Sequence, residues 1–421
     1  MGTIGPSKEA GTRGRRTVLI CGAGIAGPVL AYWLQRYGFT VTVVEQAGAP
    51  RGGGYPIDVR GTAIDVVRRM GLLPELRRVH IKSRRFTFLE ADGAEVASLP
   101  AHLVDARGTG ESIEIARGDL TAAVYEAVRD DVEFVFDDAI DALDQIGQRV
   151  EITFRSGAQR AFDIVIAAEG MHSRTREILF GPEEAFHRRL GYGYAVFTMP
   201  NAMRLSHELL MWNEPGKAAA LYSTGSEDDA LHVFLNFYRP DLHPDALRGP
   251  EVGKDLFATV FADKGWKIPD LIDAMFAADE FFCDTAGQIR LPHWSRGRVA
   301  LVGDAAYAPS FLTGQGTSLA LVGAYMLAHS LATNPDHCAA FSDYERGTRG
   351  FVAMNQALVD SGGTLLFPAT ENALEERNSR LRDLMTRPTP KPQPAHTALT
   401  LPAESWDLDR AQHGRGGVPH G

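Results

Sequence analysis

Gly22, Gly24 and Gly27 stand in the pattern G-x-G-x-x-G directly behind four apolar residues, Val18, Leu19, Ile20 and Cys21. That order predicts a short buried strand, a tight turn and a helix opening at the last glycine. Gly22 permits the turn, Gly24 lets a pyrophosphate approach the backbone, and Gly27 lets helix and strand pack closely. Ala23, Ile25 and Ala26 complete the loop, and the helix start offers free N–H groups and a positive dipole end to phosphates. Pro28 is tolerated in the first turn, where the N–H has no intrahelical partner. Residues 40–44, Thr-Val-Thr-Val-Val, predict a second strand that ends in Glu45, 18 positions beyond Gly27, with Gln46 behind it. An acidic residue there accepts hydrogen bonds from an adenosine ribose. The chemistry these residues support is dinucleotide binding.

The elements that must position this loop fit within a chain of 421 residues, long enough for two domains and a large core. A hydrophobic fraction of 44% and a charged fraction of 23% are ordinary for a globular protein. A net charge of −10 argues against nucleic acid or an anionic membrane surface as the main partner. Cys21, Cys283 and Cys338 are widely spaced and form no C-x-x-C pair, which suits a reducing cytoplasm and offers no zinc site. No stretch approaches the uninterrupted apolar length of a membrane span. Residues 1–15 and 387–421, rich in polar residues or in Pro, Gly, Arg and His, read as flexible tails.

Along the chain, residues 51–58 form a glycine-rich loop carrying Arg51 and Asp58. Residues 62–70 predict an amphipathic helix closed by Gly71. Residues 85–89 and 95–99 predict a hairpin, which suggests that the chain leaves for a second sheet and returns. Residues 112–120 predict a strand and then a helix over about 119–128. Residues 162–168 predict another buried strand. Between 181 and 284 strands separated by polar turns predict an antiparallel sheet, at 194–198, 208–212, 218–222 and 231–238. The α/β texture resumes with a strand at 298–302, Gly303-Asp304, and an apolar helix opening at Gly314-Gln315-Gly316-Thr317 and running to about 331. Long helices are predicted over 339–359 and 371–385.

The glycine pattern, the stretch from Asp163 to Arg176, and Gly303-Asp304, in that order, resemble the group A flavoprotein monooxygenases, the enzymes built like para-hydroxybenzoate hydroxylase. The resemblance covers about residues 16–385. It implies a Rossmann-like α/β FAD-binding domain (16–80, 101–180 and 285–340), an interleaved antiparallel-sheet substrate domain (81–100 and 181–284) and C-terminal helices (341–386). It implies FAD as cofactor and transient NADPH or NADH as reductant, since no second G-x-G-x-x-G provides a nicotinamide domain. Asp304 would meet the ribityl chain, and the helix behind Gly314 would face the flavin N1/C2 carbonyl edge with its positive dipole. Arg117 matches an arginine that contacts the cofactor. Arg51 and Asp58 stand where the similar tetracycline-inactivating monooxygenases place cofactor-contacting residues.

Three positions depart from the family pattern. Glu169-Gly170 replaces the usual Asp-Gly, although Asp163, Ser173 and Arg176 match. Tyr307 replaces a common histidine, and Phe311 stands where proline is frequent, two places after Pro309. In these enzymes the loop lies beside the flavin C4a edge, so Phe311 would shape the pocket in which oxygen is activated. On the strand over 231–238, His232, Phe234 and Asn236 share one face, and Met211 and Tyr222 fall on pocket-facing positions of neighbouring strands. The resemblance therefore implies hydroxylation of a bulky, polycyclic or polyketide-like molecule by a flavin C4a-hydroperoxide, as in antibiotic biosynthesis, with O2 as co-substrate. The flavin carries the chemistry, and no side chain is singled out as catalytic. The departures keep open a same-fold flavoprotein that uses FAD structurally in a non-redox cyclisation. Trp266-Lys-Ile-Pro269 is half of the W-x-W-x-I-P of flavin halogenases, with Lys264 in place of the first tryptophan. The sequence is compatible with a monomer or a dimer.

Overall fold

A computed structural model describes residues 15–50, 52, 54–104, 111–384 and 393–403. Its first layer is a six-stranded sheet in the order Ser295–Arg296, Val299–Leu301, Ile164–Ala167, Thr17–Cys21, Thr40–Val44 and Glu133–Val135. All pairs are parallel except the Ser295–Arg296 edge. The central strands are almost wholly apolar because helices and a small sheet cover both faces, as parallel sheets require. The helix Ala26–Arg36 makes the crossover from the first strand to the second, and the long helix Gly316–Thr333 packs beside it. The two are keyed by Trp33, whose ring meets Tyr325 edge-on at 4.9 Å. The architecture is the expected α/β Rossmann-like fold with an inserted second sheet.

That second sheet has seven strands, ordered Phe281–Ile289, His187–Met199, Leu231–Tyr238, Lys217–Ser223, Glu208–Glu214, Arg85–Leu89 and Glu95–Pro100. The early hairpin forms one edge of it. The sheet expected to be antiparallel contains one parallel pair, because Arg85–Leu89 enters alongside Glu208–Glu214 in the same direction. Its outer face, with Leu231, Val233, Leu235 and Phe237, is covered by helices Pro250–Phe261 and Ile268–Ala277. Neither helix was expected within 181–284. Proline in each first turn, with Phe257/Phe261 and Ile268/Leu271/Met275 at helical spacing, was the available signal. Trp266 stacks against Trp212 at 6.3 Å on this outer face. The half motif it belongs to is therefore a packing feature.

The inner face of the sheet carries Phe86, Phe88, Met211, Ala218, Ala220 and Phe234 and turns toward Leu312, Val359, Phe367 and Leu381. The helix predicted over 339–359 is His337–Gln356, and a further, unexpected helix, Val359–Leu366, follows it. Part of the stretch read as a C-terminal tail is ordered: Leu399 and Leu401 are buried in the main core, and Thr62 Oγ1 donates to the Leu399 carbonyl at 2.6 Å. Gly61 shows why this docking is tight, since a Cβ there would lie 2.0 Å from the His396 carbonyl oxygen.

Candidate cofactor and substrate site

The glycine loop has the geometry its residue types demand. Gly22 sits at φ +103°, and a Cβ on it would lie 2.5 Å from the Ala168 carbonyl oxygen; a Cβ on Gly27 would lie 1.9 Å from the Gly22 carbonyl oxygen. Of the three, Gly24 alone has room for a Cβ, its nearest neighbour being the Arg117 guanidinium at 3.8 Å from the Cβ position. Glu45 is buried, with Oε2 accepting from the Ala23 N–H at 2.7 Å and Oε1 from the Ala47 N–H at 3.0 Å. Gln46 beside it is exposed.

Gly303 presses on the same loop, since a Cβ there would lie 3.0 Å from the Ala26 Cβ. This contact brings Asp304 next to the glycine loop. Burial pushes the Asp304 carboxyl above its ordinary range, against the opposing pull of the Arg117 cation. Arg117 opens the helix Arg117–Glu126 and donates its backbone N–H to the Tyr55 carbonyl at 3.2 Å. Arg117 thus borders Gly24 and acts on the charge of Asp304, two residues it is distant from in sequence.

The loop after Asp304 is strained where it turns. Ser310 has φ +77°, a conformation few residues other than glycine adopt, and Gly314 is left-handed at φ +62°. A short 3-10 turn, Phe311–Thr313, precedes the helix, which begins at Gly316 rather than at Gly314. Gly316 faces Asp304, whose Oδ1 lies 3.9 Å from its Cβ position, and Thr317 is buried just behind. Pro309 is buried and its carbonyl accepts from Gln288 Nε2 at 3.0 Å. Gln315 is fully buried, yet neither Oε1 nor Nε2 has a hydrogen-bond partner. An orphaned buried amide at a helix start fits a bound dinucleotide. The residues that would hold FAD are the 22–27 loop, Glu45, Arg117, Asp304 and the 314–317 helix start. When bound, FAD supplies the redox and oxygen chemistry.

The middle motif fastens this half together. Glu169 accepts from Ser173 Oγ at 2.5 Å and from the Thr175 N–H at 3.0 Å, so its longer side chain closes its own loop. The buried Arg176 donates to the Ala305 carbonyl at 3.1 Å and to Glu183 at 2.6 Å, tying middle and late motifs. His172 bridges to the second sheet, with Nε2 3.1 Å from Asp284 and Nδ1 3.1 Å from Glu183. Its hydrogen bonds to Asp284 first and Glu183 second raise its pKa to about 10.

Strand register decides what faces this half. Phe88, Met211, Ala220, Phe234 and Val196 form one row across five strands. Leu209, Tyr222, His232 and Thr198 form the next, and Asn213, Ala218, Asn236, Tyr194 and Asp284 a third. Phe234 meets Tyr55 at 5.6 Å, and Phe311 meets Tyr194 at 4.4 Å. Burial first, and then neighbouring acidic groups, raises the Tyr194 phenol well above its ordinary range. His232, whose imidazole burial pushes down in pKa, and Met211 lie on this face. Tyr222 is tied elsewhere: its hydroxyl lies 2.7 Å from Ser83 Oγ, which donates to Glu114 at 2.7 Å.

Not every anticipated residue joins this centre. Arg51 lies outside the described residues. Asp58 is bound by Arg60 at 2.7 Å and stands beside His396 of the C-terminal segment. Tyr55, Tyr194 and Asp284 were missed. Tyr55 lay within the loop already singled out, whereas Tyr194 and Asp284 become visible only through register.

A Rossmann-like cofactor half and an aromatic sheet face, joined by Tyr55 and Phe311, define a two-part flavoprotein oxygenase architecture. Residues 15–336 match the family described as FAD binding domain. The chain is 36% identical over 378 residues to a flavin-dependent monooxygenase from an unknown prokaryotic organism, covering 89% of this chain and 97% of that one. It is 40% identical over 346 residues to an uncharacterised protein of Mycobacterium tuberculosis, covering 82% and 92%. Among solved structures, the tetracycline destructase Tet(55) superposes with a TM-score of 0.80 at 34% identity, over 93% of this chain and all of that one. The chain belongs to the FAD-dependent monooxygenases. Its cofactor is FAD. Among the described residues no helix is long and apolar enough to cross a membrane.

Proposed function

We propose that this enzyme hydroxylates a bulky, polycyclic or polyketide-like molecule with O2, using NADPH or NADH to reduce its flavin. One observation carries the reading. The sheet face that adjoins the cofactor half is aromatic and apolar, with Phe234 against Tyr55 and Phe311 against Tyr194. Flat apolar walls of this kind select flat aromatic substrates and exclude water from the reacting carbon. The likeness to a tetracycline destructase at 34% identity supports the same substrate class. Residues 22–27, Glu45, Arg117, Asp304 and 314–317 would hold FAD, while Met211, His232, Phe234 and Phe311 would line the substrate. Tyr222 lies on the same face, in the row of His232, with its hydroxyl held by Ser83. The domain division fits this assignment, with 16–80, 101–180 and 285–340 binding FAD and 81–100 with 181–284 binding substrate.

All three departures that keep a non-redox cyclisation open have structural partners, Phe311 against Tyr194 and Phe367. Tyr307 is buried against Trp294 and 3.0 Å from the Tyr344 hydroxyl, and Glu169 is bound within its own loop. The deciding experiment is anaerobic mixing of the holoenzyme with NADPH and, separately, NADH, followed by admission of O2 with a polycyclic phenol. Flavin bleaching followed by a product heavier by one oxygen atom is the expected result. A flavin that neither nucleotide reduces, with or without the phenol, refutes the reading and favours the cyclase.

A further inference from the structure

The helix Glu371–Leu384 turns Leu374, Arg377, Asn378 and Leu381 inward, at the i, i+3, i+4, i+7 spacing of an apolar stripe. An arginine on such a stripe is unusual. Arg377 is 2% exposed, and none of its three guanidinium nitrogens has a hydrogen-bond partner. Among the described residues no carboxylate lies within ion-pair distance of it. The neighbouring arginines of the same helix behave normally: Arg380 pairs with Glu376 and Arg382 with Glu90 at the surface. Burial lowers the Arg377 pKa to about 10, which leaves the side chain a cation at neutral pH. A buried cation with no counter-charge is a costly arrangement, which an anionic ligand would relieve.

The position of Arg377 indicates which ligand. Its guanidinium lies over the Phe88 ring at 5.1 Å. Phe88 stands in the row that runs through Met211 and Ala220 to Phe234, which in turn meets Tyr55. Phe88 and Phe234 are therefore three strand spacings apart, about 14 Å. Phe234 adjoins the cofactor half through Tyr55, and Phe88 lies under Arg377. The side chains between are apolar.

We propose that Arg377 is the anion-binding end of the substrate site, pairing with a carboxylate or enolate on the end of the substrate remote from the flavin. The planar guanidinium suits a bidentate carboxylate, and the Phe88 ring holds it flat. This inference rests on the polycyclic-substrate reading above and narrows it to polycyclic acids. Arg377 is a specificity-determining residue here; the oxygen transfer itself does not involve it.

The test is calorimetric titration of the oxidised holoenzyme with anthraquinone-2-carboxylate and its neutral partner 2-(hydroxymethyl)anthraquinone, in wild type, Arg377→Met and Arg377→Lys, with the Tm of each. Wild type is expected to prefer the carboxylate at least tenfold. Arg377→Met should erase that preference, keep the affinity for the neutral compound, and leave Tm unchanged or raised; Arg377→Lys should keep part of the preference. Equal binding of the two compounds by wild type overturns the proposal, as does an unaltered preference in Arg377→Met. Loss of both ligands together with a lowered Tm in Arg377→Met also overturns it, because Arg377 is then structural. Should wild type bind neither anthraquinone, the polycyclic reading fails, and benzoate against benzyl alcohol decides Arg377. Benzoate bound by wild type and lost in Arg377→Met supports the anion site; benzoate bound equally by both, or by neither, overturns it.

Discussion

Gly24 and Gly27 are the same residue type three positions apart, yet substituting them should have opposite consequences. In Gly27→Ala the new methyl would lie 1.9 Å from the Gly22 carbonyl oxygen, backbone against backbone, so the strand–turn–helix unit must shift. Overpacking of that kind costs about 1–3 kcal/mol or more. In Gly24→Ala the nearest atom is 3.8 Å away, an ordinary contact, and the backbone there does not need a positive φ. The apoprotein should then be as stable as wild type, or more stable by about 0.4–1 kcal/mol through a less flexible unfolded chain. The methyl would instead stand where a phosphate approaches. Losing one charge-assisted contact of about 1.5–3 kcal/mol weakens FAD binding by about 10- to 100-fold. Urea unfolding of the apoproteins gives the first quantity, and titration followed by FAD fluorescence gives the second. A Gly24→Ala apoprotein less stable than wild type by more than about 1 kcal/mol, or one that binds FAD normally, would refute the reasoning.

Three further outcomes follow from the contacts described. His172, raised to about 10 by Asp284 and Glu183 from an ordinary value near 6.5, stabilises the fold fully below about pH 6.5 and loses that contribution as pH rises through about 10. The Tm gap between wild type and His172→Asn should accordingly be widest near pH 6 and vanish above pH 10; a gap independent of pH would disprove the charge role. Tyr222→Phe removes the buried contact to Ser83 and should cost about 1–2 kcal/mol of stability while leaving the substrate KM unchanged, which chemical denaturation and steady-state kinetics check together. Leu399→Ala should cost about 2–4 kcal/mol because that side chain is buried in the main core; a neutral result would mean that the C-terminal segment is not docked in solution.

Much of the cofactor half was legible before any coordinates. The glycine pattern works through local geometry: a tight turn, an open approach and a close packing contact each depend on residues within a few positions. Glu45 follows from one βαβ unit of ordinary length. The runs at 18–21, 40–44 and 298–302 announce buried parallel strands because nothing polar interrupts them. The order of three motifs along the chain then identified the family. Less legible were helices Pro250–Phe261 and Ile268–Ala277, hidden by the strand-rich texture around them, and the docking of Leu399 and Leu401, whose Pro-rich surroundings read as a tail.

The substrate side could not be read in the same way. Alternation shows which residues of one strand share a face, but not which strand lies beside it or in what register. Tyr194 and Asp284 join the site only because His187–Met199 pairs with both Leu231–Tyr238 and Phe281–Ile289. Tyr222 looked pocket-facing by periodicity and is held by Ser83, a residue 139 positions away. Arg377 shows the limit most clearly. Its helical spacing puts it on an inward stripe, and only the packed structure leaves its guanidinium over Phe88 without a counter-charge. Sequence alone determined the nucleotide loop and the family, since those rest on local spacing and order. Tertiary structure decided which distant side chains meet, because burial and pairing of charges depend on contacts between elements that no local pattern encodes.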